Sequence, residues 1–202
     1  MEENSKPKGF VHIPRTAGGS LVNELVKTDW VILGHDETSP HYMHITDFRK
    51  VHPMRDAYLV ACVRNPYDRL VSAYHFLKSG GDNEMDQKDA EKYISKFKTF
   101  EEFVMGSFRF IRRNRTTRQI HLRPQSYWVS KNNNLLIDQI FRFEELDEFF
   151  QFIEQQTPIS VNQIGHVHAS SHKHWEDYYS QRMKRLVYNT YENDFRLFNY
   201  DK

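Results

Sequence analysis

The sequence predicts an α/β fold: a central parallel sheet layered between helices. Two observations carry this. Short apolar runs alternate with segments whose apolar residues recur at helical spacing. One run, Tyr58-Leu59-Val60-Ala61-Cys62-Val63, is apolar on both faces, as the buried centre of a parallel sheet requires.

In chain order, residues 1–8 read as a tail, and Phe10 to Ile13 as a first strand that Pro14-Arg15-Thr16-Ala17-Gly18-Gly19 interrupts. From Ser20 the pattern turns helical, with Leu21 and Leu25 on one stripe. Trp30 to Leu33 is a second strand. Thr46 is expected to cap a short helix, Asp47 to Val51, that stops before Pro53. After the Tyr58–Val63 strand, Asn65 supplies a cap and Pro66 suits the first helical position. Leu70, Val71, Tyr74 and Leu77 continue that helix, and Gly80-Gly81 ends it. The polar stretch 82–91 reads as a mobile surface loop. Phe100 to Phe110 and Leu146 to Ile153 read as helices, Leu135 to Phe141 as a strand. Trp175 to Phe198 is amphipathic, with Leu186, Val187, Tyr191 and Phe195 on one stripe. No repeat or long linker interrupts the 202 residues, so 1–202 is expected to be a single domain.

Composition narrows the class. Hydrophobic residues at 39% and aromatics at 14% are too much apolar material for a disordered chain. Lys+Arg 28 against Asp+Glu 27 leaves a net charge of +1, so any electrostatic specialisation is local. No apolar run approaches the ~18 residues of a membrane span, the first ten residues lack an apolar signal core, and a lone Cys62 cannot form an internal disulfide. No Cys/His pattern has zinc spacing. A soluble, cytoplasmic domain is the expectation.

Two segments look built for phosphate. In FVHIPRTAGGSL, residues 10–21, a strand leads through small residues into a helix start. Gly18 and Gly19 let backbone N–H groups approach an anion, and the helix N-terminus adds partial positive charge. Arg15 adds a full charge, Thr16 and Ser20 add hydroxyls, and Ala17 keeps the loop small. The GxxxxGK[ST] pattern of a nucleoside-triphosphatase loop is absent. In VRNPYDRLVSAYHF, residues 63–76, Arg64 follows the buried strand and Ser72 lies about two turns into the next helix. Open α/β sheets bind ligands at that carboxyl edge, where Arg grips phosphate bidentately and Ser donates one further bond. Arg69 reads as pairing with Asp68 or capping a carbonyl.

Together, these two segments resemble the sulfotransferases, in particular their carbohydrate, membrane-type branch, similar to the heparan-sulfate O-sulfotransferases. His121-Leu122-Arg123-Pro124-Gln125-Ser126-Tyr127, Phe141-Arg142-Phe143-Glu144-Glu145-Leu146 and the ending HVHASSHKHW…YNTYENDFRLFNY resemble that family's later segments, in the same order. The resemblance implies a P-loop NTPase-like three-layer domain. It also implies 3′-phosphoadenosine 5′-phosphosulfate (PAPS) as sulfuryl donor, with no metal. The first loop, Arg15 to Ser20, would hold the 5′-phosphosulfate and Arg64 with Ser72 the 3′-phosphate, while Ser170, Ser171 and Lys173 would close over the donor. Two positions depart from the family: Arg15 stands where Lys is usual, and Gly19 where Thr or Ser is usual. Arg is a planar fork and not a point donor, so that exchange is not neutral.

Sulfuryl transfer needs leaving-group charge stabilised, which suits Arg15, and a base near the acceptor hydroxyl, which suits His. Of 11 histidines, His44 lies just ahead of the short helix, where the family places its base, and His35 in Gly34-His35 is the alternative match. His121 either lines the acceptor pocket or packs beside Arg123. His12, inside a strand, reads as structural. From Val104 to Ile137 there is no Asp or Glu, while Arg109, Arg112, Arg113, Arg115, Arg118, Arg123 and Lys131 are all present. That local positive field reads either as the site of an anionic acceptor, such as an acidic or sulfated glycan with His121, Arg123, Gln125, Arg112 and Arg113 as contacts, or as a solvated helical face balanced by Glu144, Glu145, Asp147 and Glu148. Neutral overall charge and the phosphate loops argue against a nucleic-acid partner, and nothing indicates an oligomeric state. The rival readings are a nucleotide kinase on the same scaffold and a non-catalytic nucleotide- or polyanion-binding module.

Overall fold

The computed structural model describes residues 6–34, 44–113, 119–160 and 173–202, with the main chain only at 51 and 108–113. The chain divides into two compact units, residues 1–64 with 125–169 and residues 65–124 with 170–202.

The first unit is the α/β part. Strands β1 (Lys8–His12), β2 (Val31–Gly34), β3 (Tyr58–Val63) and β6 (Gln139–Arg142) form a parallel sheet in the order β2-β1-β3-β6. Phe10, Ile32, Val60, Cys62 and Phe141 share one face. They pack with Leu21, Val22 and Leu25 of α1 (Gly18–Leu25) and with Phe149 and Ile153 of α7 (Leu146–Gln156). Each such side chain stabilises the unit by about 1.5–3 kcal/mol through burial. Val11, Leu33, Leu59, Ala61 and Val63 alternate with them and are equally buried. Both faces of the sheet are therefore covered, which explains why the sequence of β3 is apolar throughout.

All four strands run the same way, so His12, Gly34, Val63 and Arg142 end on one edge. At the opposite edge Arg49 of α2 (Ile45–Val51) ties the layers together. It donates to the carbonyls of Leu136, Arg55 and Ala57 and pairs with Asp138 at 2.8 Å. Asp138 in turn accepts from the Leu59 N–H. The single strand expected over Leu135–Phe141 is two. β5 (Asn134–Leu135) turns back on β4 (Ser130–Lys131) through Asn132 and Asn133, both at positive φ, and β6 begins only after Asp138. A short helix α6 (Ser126–Val129) precedes that hairpin.

The second unit is helical: α3 (Pro66–Lys78), α4 (Glu84–Tyr93), α5 (Phe100–Arg113) and α8 (Gln181–Leu197), the last kinked at Tyr191. Leu70, Tyr74, Leu77, Phe103, Val104, Met183, Val187, Tyr191 and Phe195 make its core. α3 starts where the sequence predicts: the Asn65 side chain accepts from the Tyr67 N–H at 2.9 Å, and Pro66 opens the first turn. The loop expected over 82–91 is instead α4. Asn83 caps it by accepting from the Asp86 N–H, and Glu84 and Asp86 in the first turn suit the helix dipole. Polar composition concealed the helix, because only Asp86 and Ala90 of it are buried.

Candidate active site

The first loop is shaped by backbone conformation. Arg15 (φ 68°) and Ala17 (φ 70°) are both left-handed, and Ala17 is the N-cap of α1 with no side chain bonding the helix end. Two left-handed residues within three make a tight turn of the kind in which main-chain N–H groups can face an anion. No acidic residue lies in the first turn of α1. The Thr16 hydroxyl, expected as an anion donor, bonds the Ile13 carbonyl at 2.9 Å, and Thr16 is fully buried. Ser20 is half-buried in the first helical turn.

The two glycines differ. A Cβ on Gly18 would run into the His12 imidazole, whose Nε2 would lie 2.7 Å away, whereas a Cβ on Gly19 meets nothing within 4 Å. Gly18 is therefore required by the close approach of loop and strand, and Gly19 is sterically free. A Ser or Thr side chain has room there.

Arg64 leaves the end of β3, 7% exposed. Its N–H donates to Gln125 Oε1 at 2.9 Å and its carbonyl accepts from Gln125 Nε2 at 2.8 Å. Its guanidinium carbon lies 4.0 Å from the Phe143 ring centroid, and Nη1 reaches the Arg15 carbonyl at 3.4 Å. The two phosphate-type segments thus meet at the carboxyl edge of the sheet, at Arg15 and Arg64. Gln125, expected at the acceptor, is fully buried and engages the Arg64 main chain. Beneath it, Cys62 is buried and its thiol is pushed far up by desolvation, with Glu144 adding to the shift and Arg64 opposing it.

His44 is found at the N-cap of α2, two residues before the cap expected from sequence. Nδ1 accepts from the Thr46 N–H at 3.3 Å and lies 2.9 Å from Thr46 Oγ1. Nε2 lies 2.7 Å from the Tyr127 carbonyl, which only accepts, so this nitrogen carries the proton. Both ring nitrogens are engaged. To take a proton from an acceptor, Nδ1 has first to release Thr46. His35, the alternative base, lies outside the described residues, as do Ser170 and Ser171.

In the second unit, Ser72 is 1% exposed on α3, and Arg69 bonds the carbonyls of Arg123 and His121, the capping role expected of it. His121 is 5% exposed, and its Nε2 lies 3.1 Å from Asp86 Oδ1. Its ring packs on Phe76. His121 is thus held inside the helical core. Arg123 is half-buried, and Lys173 is exposed. Arg112 and Arg113 end α5, their side chains outside the described residues. Sequence reasoning missed Phe143 and Asp86 as partners. The first was available from the alignment of two strand ends, whereas the second, 35 residues from His121, left no local signal.

Compared with known families, the chain matches the sulfotransferase family over residues 10–201. The chain belongs to the sulfotransferase family. No curated protein and no solved structure gave a match. The match runs through both units and includes the loop after β1, Arg64 and the Phe143 segment. Membership of this family supports sulfuryl transfer as the chain's chemistry. Among the described residues no helix is long and apolar enough to cross a membrane, and no cluster of three or more His, Cys, Asp or Glu is placed to hold a metal ion.

Proposed function

We propose that this sulfotransferase takes its sulfuryl group from PAPS and passes it to a hydroxyl of an anionic carbohydrate, without a metal ion. The observation that carries the donor reading is the meeting of the Arg15 loop with Arg64 at one sheet edge. A tight left-handed loop, a helix start without a side-chain cap and two arginines suit a nucleotide with an anionic group at each end. When bound, PAPS supplies the sulfuryl group and leaves as 3′-phosphoadenosine 5′-phosphate (PAP). Arg15, with the amides of Thr16 to Gly19, would stabilise charge growing on the leaving phosphate. Arg64 would hold the 3′-phosphate bidentately. Ser20, Ser72, Ser170, Ser171 and Lys173 are assigned to the donor by resemblance.

His44 or His35 would take the acceptor's proton. The engaged ring nitrogens of His44 favour a capping role for it and make His35 the stronger rival. The acid-free segment Val104–Ile137 supports an anionic glycan as acceptor, with Arg112, Arg113 and Arg123 as contacts. A lone thiol, and hence no internal disulfide, fits a cytoplasmic setting.

Calorimetry with PAP, ATP and an RNA oligomer in EDTA tests the reading, together with a transfer assay on acidic and sulfated glycans. PAP should bind in EDTA, and ATP and RNA should not compete. Tighter binding of ATP or RNA overturns it. PAP binding with no transfer to any glycan would make the chain a non-catalytic nucleotide-binding module.

A further inference from the structure

We propose that Phe143 and Gln125 are positioning residues for Arg64 and, on the donor reading above, for the nucleotide phosphate that Arg64 holds. β3 and β6 are parallel and in register, with Val63 opposite Arg142. The next residue on each strand therefore falls side by side on the same edge, and those residues are Arg64 and Phe143. Their side chains meet: the guanidinium carbon is 4.0 Å from the ring centroid. A guanidinium lying over an aromatic face is held by the ring's negative face while its N–H donors point outward in their own plane. That orientation suits bidentate capture of a phosphate and blocks the rotamers that turn the fork away.

Gln125 acts on the backbone of the same residue. Beyond Val63 the strand pairing with β6 ends, and a buried main-chain N–H and C=O there need new partners. The Gln125 carboxamide supplies both, accepting from the N–H at 2.9 Å and donating to the carbonyl at 2.8 Å. Fixing the peptide groups on either side of one Cα fixes the direction of its side chain. Gln125 is fully buried and Arg64 7% exposed, so water does not replace either bond readily. Arg64 is then ordered from both ends before any ligand arrives, and preorganisation of a long side chain appears directly as affinity.

The test is a variant series read by PAP calorimetry and by the side-chain Nε–H resonance of Arg64. Phe143→Leu should weaken PAP binding about three- to tenfold, the worth of a partly desolvated cation–ring contact. Phe143→Trp should restore it, because the contact needs a ring face and not a particular volume. In an Arg64→Ala background, Phe143→Leu should have no further effect. The Arg64 Nε–H proton should be shifted upfield by the ring in the wild type and move back in Phe143→Leu. Gln125→Glu keeps the acceptor but loses the donor, and should weaken PAP binding while thermal unfolding shows a folded protein. Unchanged PAP affinity in Phe143→Leu, with Arg64→Ala clearly weakened, overturns the positioning role and leaves the donor reading standing. A wild type that fails to bind PAP removes the donor reading instead. The Nε–H resonance then still decides the positioning, which stands if Phe143→Leu moves it and falls if it does not.

Discussion

Nη1 of Arg64 lies 3.4 Å from the main-chain oxygen of Arg15, a residue 49 positions earlier whose φ is 68°. A left-handed conformation costs a non-glycine residue roughly 1–2 kcal/mol and persists only where neighbours hold it. The Arg64 contact is one such restraint. It couples the shape of the first loop to the arginine at the end of β3.

The Arg15 side chain should matter more in the transition state than in the ground state, because charge on the leaving phosphate grows as the sulfuryl group departs. Arg15→Ala is expected to lower kcat far more than it weakens PAP binding. Arg15→Lys keeps the charge and should retain activity. Steady-state kinetics beside calorimetry measures both. A large loss in Arg15→Lys would mean that the planar fork itself is needed.

The two loop glycines should respond oppositely. Gly18→Ala drives a methyl into the His12 ring, which stacks on Phe10, and should destabilise the fold by about 1–3 kcal/mol. Gly19→Ala meets nothing and sits in a helical turn, so it should be neutral or stabilise by up to about 1 kcal/mol. Chemical denaturation reads the difference. Gly19→Ser should fold normally and bind PAP at least as well as the wild type.

Replacing His44 separates a cap from a base. His44→Ala removes the acceptor for the Thr46 N–H and should cost about 1 kcal/mol of stability. His44→Asn preserves capping but cannot take up a proton at neutral pH. If His44 is the base, His44→Asn is stable yet loses roughly 10²–10⁴-fold in kcat. If His44 is only the cap, His44→Asn stays active and His35→Ala shows the loss, with PAP affinity unchanged in either variant.

Cys62 should not react with alkylating reagents in the native protein, even at mildly alkaline pH. It is fully buried, and burial pushes its thiol well above the ordinary range, so the reactive thiolate is scarce. Iodoacetamide labelling followed by mass spectrometry should stay near zero until denaturant opens the first unit. Fast labelling without denaturant would show that the sheet around β3 opens locally.

Much of this was legible in the chain because it is local. The order β1, α1, β2, β3, α3, α5, α7, α8 follows from apolar spacing. The start of α3 follows from Asn65-Pro66, and the loop after β1 from small residues between a strand and a helix. Each of these is decided within a few residues, where periodicity, capping and the allowed φ of glycine and proline act. The rest required the folded sheet and helices. Phe143 meets Arg64 because β3 and β6 pair in one register, and Gln125 reaches the same arginine across 61 residues. His44 is engaged at both nitrogens because α2 docks beside Tyr127, and His121 finds Asp86 only once α4, hidden by its polar composition, is in place. The residue types at this edge come from the sequence. Which atoms of His44, Gln125 and Arg64 are committed, and to what, was decided by tertiary packing, because hydrogen bonds and ring contacts between distant segments exist only where the fold brings their atoms within a few ångströms.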